Sequence, residues 1–311
     1  MKCCFGEKDV VSSHALNDFH FEQPYWEWVA KSFEKLAISY PAAMNSAHCC
    51  KRFAFLDIGV NVGDWISPIR LLAPPTVPIF GVEGSPATAA LASANLHTSA
   101  LHTAAQSGEE TCSKLLPFSM AASSQIPTIR SEGGICFSRV KETFVGGRIN
   151  QFNLGGRFVD ERKSIDECQV QSDIAGATTL QNALESLCPR SSLPKVYILK
   201  IDVEGFEFKA ISSVVSSWLS MTPPCYFVME FWNKHSYIAL IQTLITAAGY
   251  DAVWRPWAQE FPGVTPPWLS HLTGNQDNIE TIVATKPKGY MELIFGFSDV
   301  DKCINSLINL V

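Results

Sequence analysis

Phe53-Ala54-Phe55-Leu56-Asp57-Ile58-Gly59-Val60-Asn61-Val62-Gly63-Asp64 carries the decision between fold classes for this chain. Four apolar residues run without alternation into Asp57 and a turn that holds Gly59 and Gly63. Such a run is the signature of a strand buried on both faces of a parallel sheet. The pattern that follows predicts a helix from about Asp64 to Leu72, a connector at Pro74, Pro75 and Pro78, a second strand over Val77–Glu83 and an alanine-rich helix over Pro86–Leu96. Strand, turn, helix, strand, helix is the opening of a doubly wound α/β domain.

Working outward, Val196–Ile201 is β-branched and apolar and predicts a strand ending at Asp202, with a helix over Phe206–Leu219. Cys225–Met229 predicts another strand, ending at Glu230, and Ser236–Ala248 a helix stopped by Gly249. Tyr250–Trp254 and Glu280–Ala284 are expected to close the sheet, and Ser298 with Asp301 to open a last amphipathic helix. In the middle, Leu115–Ala122 and Ile135–Val140 read as strands and Thr179–Leu187 as a short helix. The glycine doublets between residues 123 and 175 read as loops. Near the start, Pro24 opens a helix whose apolar face is Tyr25, Trp26, Val29, Phe33, Leu36 and Tyr40, expected to pack on the main domain. The expected organisation is a leader and helical extension over 1–47, a main domain over 48–290 and a helical tail over 291–311.

Hydrophobic residues make up 47% and charged residues 17% of 311, enough to bury a core of this size. A net charge of −6, with no block of Lys or Arg, argues against a nucleic-acid partner held by broad phosphate neutralisation. Ser212–Met221 and Tyr237–Gly249 are too short for a membrane span, which needs about 20 apolar residues. The N-terminus lacks the apolar core of a secretory signal, so a soluble, intracellular, cytoplasmic protein is expected. The 10 cysteines include the adjacent pairs Cys3-Cys4 and Cys49-Cys50 but no Cys-x-x-Cys, so no metal site is expected. Buried thiols in a reducing compartment are the simplest expectation for them.

The chemistry lies at strand tips. Asp57, Glu83, Asp202 and Glu230 each end a predicted strand, where open parallel sheets bind ligands. One of them is expected to cap a helix instead. The turn after the first strand has Asn61 where a dinucleotide fingerprint has its second glycine, which narrows the room for a diphosphate. Glu83, about twenty residues further on, is placed to accept both hydroxyls of a ribose. A nucleoside without a diphosphate, S-adenosylmethionine, suits this turn better than NAD does.

The stretches Asp57–Gly63, Val82-Glu83 with Asn95 on the following helix, and Leu199-Lys-Ile-Asp-Val-Glu-Gly-Phe-Glu207 resemble the FkbM family of S-adenosylmethionine-dependent methyltransferases. Val228–Phe231 resembles that family's next strand, and the similarity runs from about Phe53 to Thr285, with a poor match between Ser123 and Ala177. The resemblance implies an α/β, Rossmann-like class I methyltransferase fold. It implies a mostly parallel seven-stranded sheet, helices on both faces, an antiparallel last strand, and O-methylation. It puts Asp57, Gly59, Asn61 and Gly63 at the methionine end of the cofactor, with Asp202 beneath. Glu83 and Gly84 fall at the ribose, and Ser119 and Ala121, within Ser119–Ala122, beside the adenine. Gly84-Ser85-Pro86 departs from the family's commoner turn after the acidic residue.

Methyl transfer to a hydroxyl is mostly positioning, plus a base that takes the proton. Asp202, Glu204, Glu230 and His235 are the candidates for that base. The expected acceptor is a small molecule or a glycan. Trp65, next to the turn, reads either as a ring facing a sulfonium or as packing. A methyltransferase-fold interaction module without catalysis and an NAD-dependent oxidoreductase are the rival assignments.

Overall fold

The computed structural model describes residues 23–120, 125, 135–139, 143–145, 148–150, 157–159, 174–188, 193–203, 207–230, 234–254, 270–271 and 292–309. Its centre is an eight-stranded sheet: β1 (Phe53–Ile58), β2 (Ile79–Val82), β3 (Ser113–Leu116), β4 (Lys195–Ile201), β5 (Tyr226–Glu230), β6 (Ala252–Trp254), β7 (Ser270–His271) and β8 (Glu292–Gly296). Their order across the sheet is β7-β6-β8-β5-β4-β1-β2-β3. The contiguous pairs from β3 through β5 are parallel, while β8 runs antiparallel between β5 and β6. Seven of these strands, the antiparallel β8 among them, give the expected mostly parallel Rossmann-like α/β sheet with helices on both faces, and the two-residue β7 adds an eighth strand at the edge.

All six residues of β1 are buried, as an unbroken apolar run requires of a strand covered on both faces. One face carries helix α1 (Gln23–Ser39), α2 (Ile66–Leu72), α3 (Pro86–Ser107) and, last in the chain, α7 (Val300–Ile308). That side is rich in rings: Trp28 meets Tyr226 edge-on at 5.3 Å and Phe33 meets Tyr197 at 5.5 Å. The predicted packing of the first helix is therefore what the chain does. The other face carries α4 (Leu180–Leu187), α5 (Glu207–Ser212) and α6 (Lys234–Thr246) over a mainly aliphatic layer.

Several boundaries differ from expectation. Helix α3 continues to Ser107 and stops at Gly108, which has φ +72. Pro117 cannot donate to a ladder, and β3 ends before it; Ser119–Met120 instead pairs with Ala177–Thr178 outside the main sheet. The expected strand Glu280–Ala284 lies outside the described residues, and the antiparallel slot between β5 and β6 is filled by Glu292–Gly296. Asp299 caps α7 by accepting from the Lys302 amide, while Ser298 donates to Asp251.

The expectation of free thiols fails for six cysteines. Cys49 is bonded to Cys112, Cys50 to Cys188 and Cys225 to Cys303. All three bonds lie at the amino-terminal ends of the strands, opposite the rim that carries the acidic residues. No helix among the described residues is long and apolar enough to cross a membrane.

Candidate functional site

The sheet reverses direction of growth at β1: β2 and β3 follow on one side, and β4 begins the other. Ligands of open α/β sheets bind at the carboxyl ends of strands flanking such a switch point. The two loops there are sewn together, since the Asp202 amide donates to the Ile58 carbonyl at 2.8 Å.

The first turn takes its shape from three left-handed residues, Gly59, Asn61 and Gly63, with φ of 86, 57 and 97. Asparagine tolerates this region better than other non-glycine residues. The close approach at Gly59 is to the chain itself: a Cβ there would lie 1.6 Å from the Asp202 carbonyl oxygen. That contact, together with the positive φ, is what requires glycine here. At Gly63 a Cβ would meet Ser67 Oγ and the backbone of Ala92 on α3. Asn95 on α3 donates from Nδ2 to the Val62 carbonyl at 2.9 Å and so fixes the turn against the helix.

Asp57 and Lys200 are register partners on β1 and β4 and face the same side. Lys200 Nζ lies 3.6 Å from Asp57 Oδ1 and 3.2 Å from Asp202 Oδ2, with side-chain exposures of 7%, 1% and 28% for lysine, Asp57 and Asp202. The same ammonium stands 5.2 Å from the centre of the Trp65 ring. Trp65 is buried against Phe55 and Tyr25, so the ring is core packing and the cation it meets is Lys200. Sequence reasoning assigned no role to Lys200. The available signal was its place opposite Asp57, which needs the strand register.

Glu83 sits at the tip of β2. Its Oε1 accepts from the Ser85 amide at 2.7 Å and from Thr88 Oγ1 at 2.9 Å, and Oε2 accepts from the Asn61 amide at 2.8 Å. It is the acidic residue that serves the following helix, α3, by accepting from the Ser85 amide and the Thr88 hydroxyl at its start. A carboxylate has about four acceptor positions, so one remains, on Oε2, rather than the pair expected for two ribose hydroxyls. Burial raises the Glu83 pKa above the ordinary carboxylate range; its three hydrogen bonds oppose that shift, and the charge of Asp202 adds to it. The electrostatic coupling of Glu83 to Asp202, together with the Asn61 bond, places the tips of β1, β2 and β4 around one locus.

Asn61 Oδ1 and Asp202 Oδ1 at this locus are buried without a hydrogen-bond partner among the described residues, as are Ser67 Oγ and Asn95 Oδ1 beside Gly63 and Val62 of the same turn. Asn61 Nδ2 donates to Asp64 Oδ2 at 3.1 Å, which fixes which atom of that amide is left over. Buried acceptors are normally satisfied, so each of these oxygens calls for an explanation.

Ser119 is buried beyond the end of β3, its amide donating to the Gly176 carbonyl at 2.9 Å. Gly84 links Glu83 to the start of α3. Glu230 ends β5, and His235 stands in the first turn of α6, both at the carboxyl end of the strand beside β4. Glu204 and Ala121 lie outside the described residues, as do the predicted loop with Trp257 and Trp268 and most of residues 123–173.

No family model matches the chain, and no curated protein matches its sequence. Among solved structures it is similar to a precorrin-6y C5,15-methyltransferase from Geobacter metallireducens, at 9% identity and TM-score 0.36, over 85% of this chain and 88% of that one. It is also similar to the plantazolicin methyltransferase BpumL in complex with SAH, at 10% identity and TM-score 0.35, over 92% and 89%. The delta-N METTL16 MTase domain matches at 10% identity and TM-score 0.38, over 93% and 94%. Similarity at this level transfers no substrate and no residue role.

Proposed function

We propose that this chain transfers a methyl group from S-adenosylmethionine to an oxygen of a small-molecule or glycan acceptor. The observation that carries the assignment is the convergence of Asp202, Asn61 and Glu83 at the switch point, with Asp202 Oδ1 and Asn61 Oδ1 buried and unpartnered there among the described residues. These groups fit an adenosyl sulfonium. Asp202 Oδ1 would face its positive end, Asn61 Oδ1 would accept from its ammonium, and the remaining position on Glu83 Oε2 would accept one ribose hydroxyl. Bound there, S-adenosylmethionine supplies a carbon already activated for in-line displacement. The chain's task is then to orient the acceptor and receive its proton. Asp202, Glu204, Glu230 and His235 are the groups proposed for the proton, and Ser119, Gly84 and Ala121 for the nucleoside's surroundings.

The six paired cysteines support an oxidising compartment for this protein rather than the cytoplasm. A glycan or a secreted small molecule suits that setting as acceptor.

Calorimetric titration of the full chain with S-adenosylmethionine and S-adenosylhomocysteine tests the assignment. One-to-one binding of both is expected, and absence of binding by either contradicts it. A second reading, a methyltransferase-fold interaction module, is favoured by the three internal bonds that already occupy Glu83. Tight binding of the nucleoside with no transfer to any acceptor from an extract would select that reading.

A further inference from the structure

Lys200 is 6% exposed and lies between two carboxylates at the tip of β4. Stability alone is a weak reason for it. A buried ion pair gains little over apolar packing of the same volume, because both charges lose their water. What the lysine does achieve is geometric. Its ammonium offsets the charge of Asp57, which is 1% exposed, and holds Oδ2 of Asp202, whose side chain is otherwise the more open of the two. Asp202 is thereby fixed through one oxygen, and its other oxygen, Oδ1, is the buried one with no partner among the described residues.

We propose that Lys200 is a positioning residue: held by Asp57, it clamps Asp202 through Oδ2 so that Asp202 Oδ1 faces the cationic end of the ligand. This deepens the assignment above and rests on it. The trio acts as a unit in which Asp57 anchors Lys200, Lys200 orients Asp202, and Asp202 alone meets the ligand. It follows that the trio discriminates a charged sulfonium from a neutral thioether. S-adenosylmethionine and S-adenosylhomocysteine share the nucleoside, ammonium and carboxylate, so the ratio of their affinities isolates the group that faces the sulfur.

The experiment measures that ratio by calorimetry for the wild-type chain, Asp202→Asn, the double variant Asp57→Asn/Lys200→Met and the triple variant combining them. Circular dichroism and melting curves establish that each is folded. The double variant replaces a buried ion pair by a neutral pair of similar size and so avoids stranding either charge. Asp202→Asn is expected to lower the preference for S-adenosylmethionine roughly tenfold, the order of a lost charge-assisted contact. The double variant is expected to lower it similarly, and the triple variant no further, because Lys200 acts through Asp202. A double variant that keeps the wild-type ratio overturns the proposal. So does one that loses both ligands in parallel, which is the mark of a purely structural lysine. If the double variant does not fold, Asp202→Asn decides alone, and an unchanged ratio there overturns the proposal. A wild-type chain that binds neither nucleoside removes the assignment itself, a result distinct from either of these.

Discussion

The two ends of the central sheet are built on opposite terms. At the amino-terminal end, covalent bonds and hydrogen bonds to backbone carbonyls dominate, although Arg70 Nε and Ser113 Oγ are buried there without a hydrogen-bond partner among the described residues. Three disulfides join Cys49, Cys50 and Cys225 to partners 63, 138 and 78 residues away. Nearby, the buried Tyr197 phenol donates to Tyr226, and burial pushes the Tyr226 phenol up to about 12. On the flank, Arg70, fully buried, donates to the carbonyls of Val77, Ala73 and Pro74 and so folds the proline connector; its loss of water lowers its pKa to about 10. At the carboxyl-terminal end, charges are gathered, left-handed residues turn the chain, and Asn61 Oδ1 and Asp202 Oδ1 are among the buried oxygens without hydrogen-bond partners among the described residues. Backbone strain and unmet polarity are tolerated where the rest of the sheet is over-determined.

That contrast makes changes at the base alter stability without altering recognition, and changes at the rim alter recognition. The largest effect is expected from reduction. Each disulfide contributes about 2–4 kcal/mol, more for long loops. Melting the chain with and without a thiol reductant should show a fall in Tm well beyond 10 °C, while calorimetry below the transition shows S-adenosylhomocysteine binding retained. Loss of binding in the still-folded reduced chain would break the division between the ends.

Next in size is Gly59→Ala. The added Cβ meets the Asp202 carbonyl group and the Val203 side chain at a positive φ. A loss of ~3 kcal/mol or more in stability is expected by chemical denaturation, together with loss of binding. Gly108 offers the control, since it is also left-handed, at φ +72, but has nothing within 4 Å of an added Cβ. Gly108→Ala should cost about 1 kcal/mol and leave binding intact.

Between them falls Glu83→Gln. It keeps one acceptor oxygen and removes the charge. Affinity for S-adenosylhomocysteine should fall about tenfold if the remaining position on Oε2 serves the ribose. The same residue carries a pH signature. Its pKa is raised in the fold, so its contribution to stability is complete below the unfolded value and is lost as pH rises through the folded one. The Tm difference between wild type and Glu83→Gln should therefore shift in favour of wild type on going from pH 8 to pH 5. A shift in the opposite sense would mean that the hydrogen bonds from Asn61, Ser85 and Thr88 outweigh burial.

The sequence was most informative where one residue type has one physical use. Unbroken apolar runs gave β1, β4 and β5, because a strand covered on both faces has no polar alternation to confuse it. Acidic residues at their ends located the rim. It was silent where meaning depends on a partner far along the chain. Lys200 alone in a strand looks like any exposed lysine, and only the register against β1 puts it opposite Asp57. Cys49-Cys50 carries no spacing from which to choose partners, and connectivity does not follow from sequence. Glu292–Gly296 is too short and too uniformly apolar for periodicity to separate strand from tail. Glu83 was found, but the three donors that surround it come from a turn and a helix start whose geometry the residues alone do not give.

A crystal structure of the full chain grown with S-adenosylhomocysteine tests the central claim most directly. The nucleoside is expected at the carboxyl-terminal rim, its sulfur toward Asp202 Oδ1 and a ribose hydroxyl on Glu83 Oε2. Density instead in the cavity of about 310 Å³ at the opposite end, lined by Tyr40, Tyr197, Tyr226 and Asp301, or no density at all at saturating ligand, would contradict it.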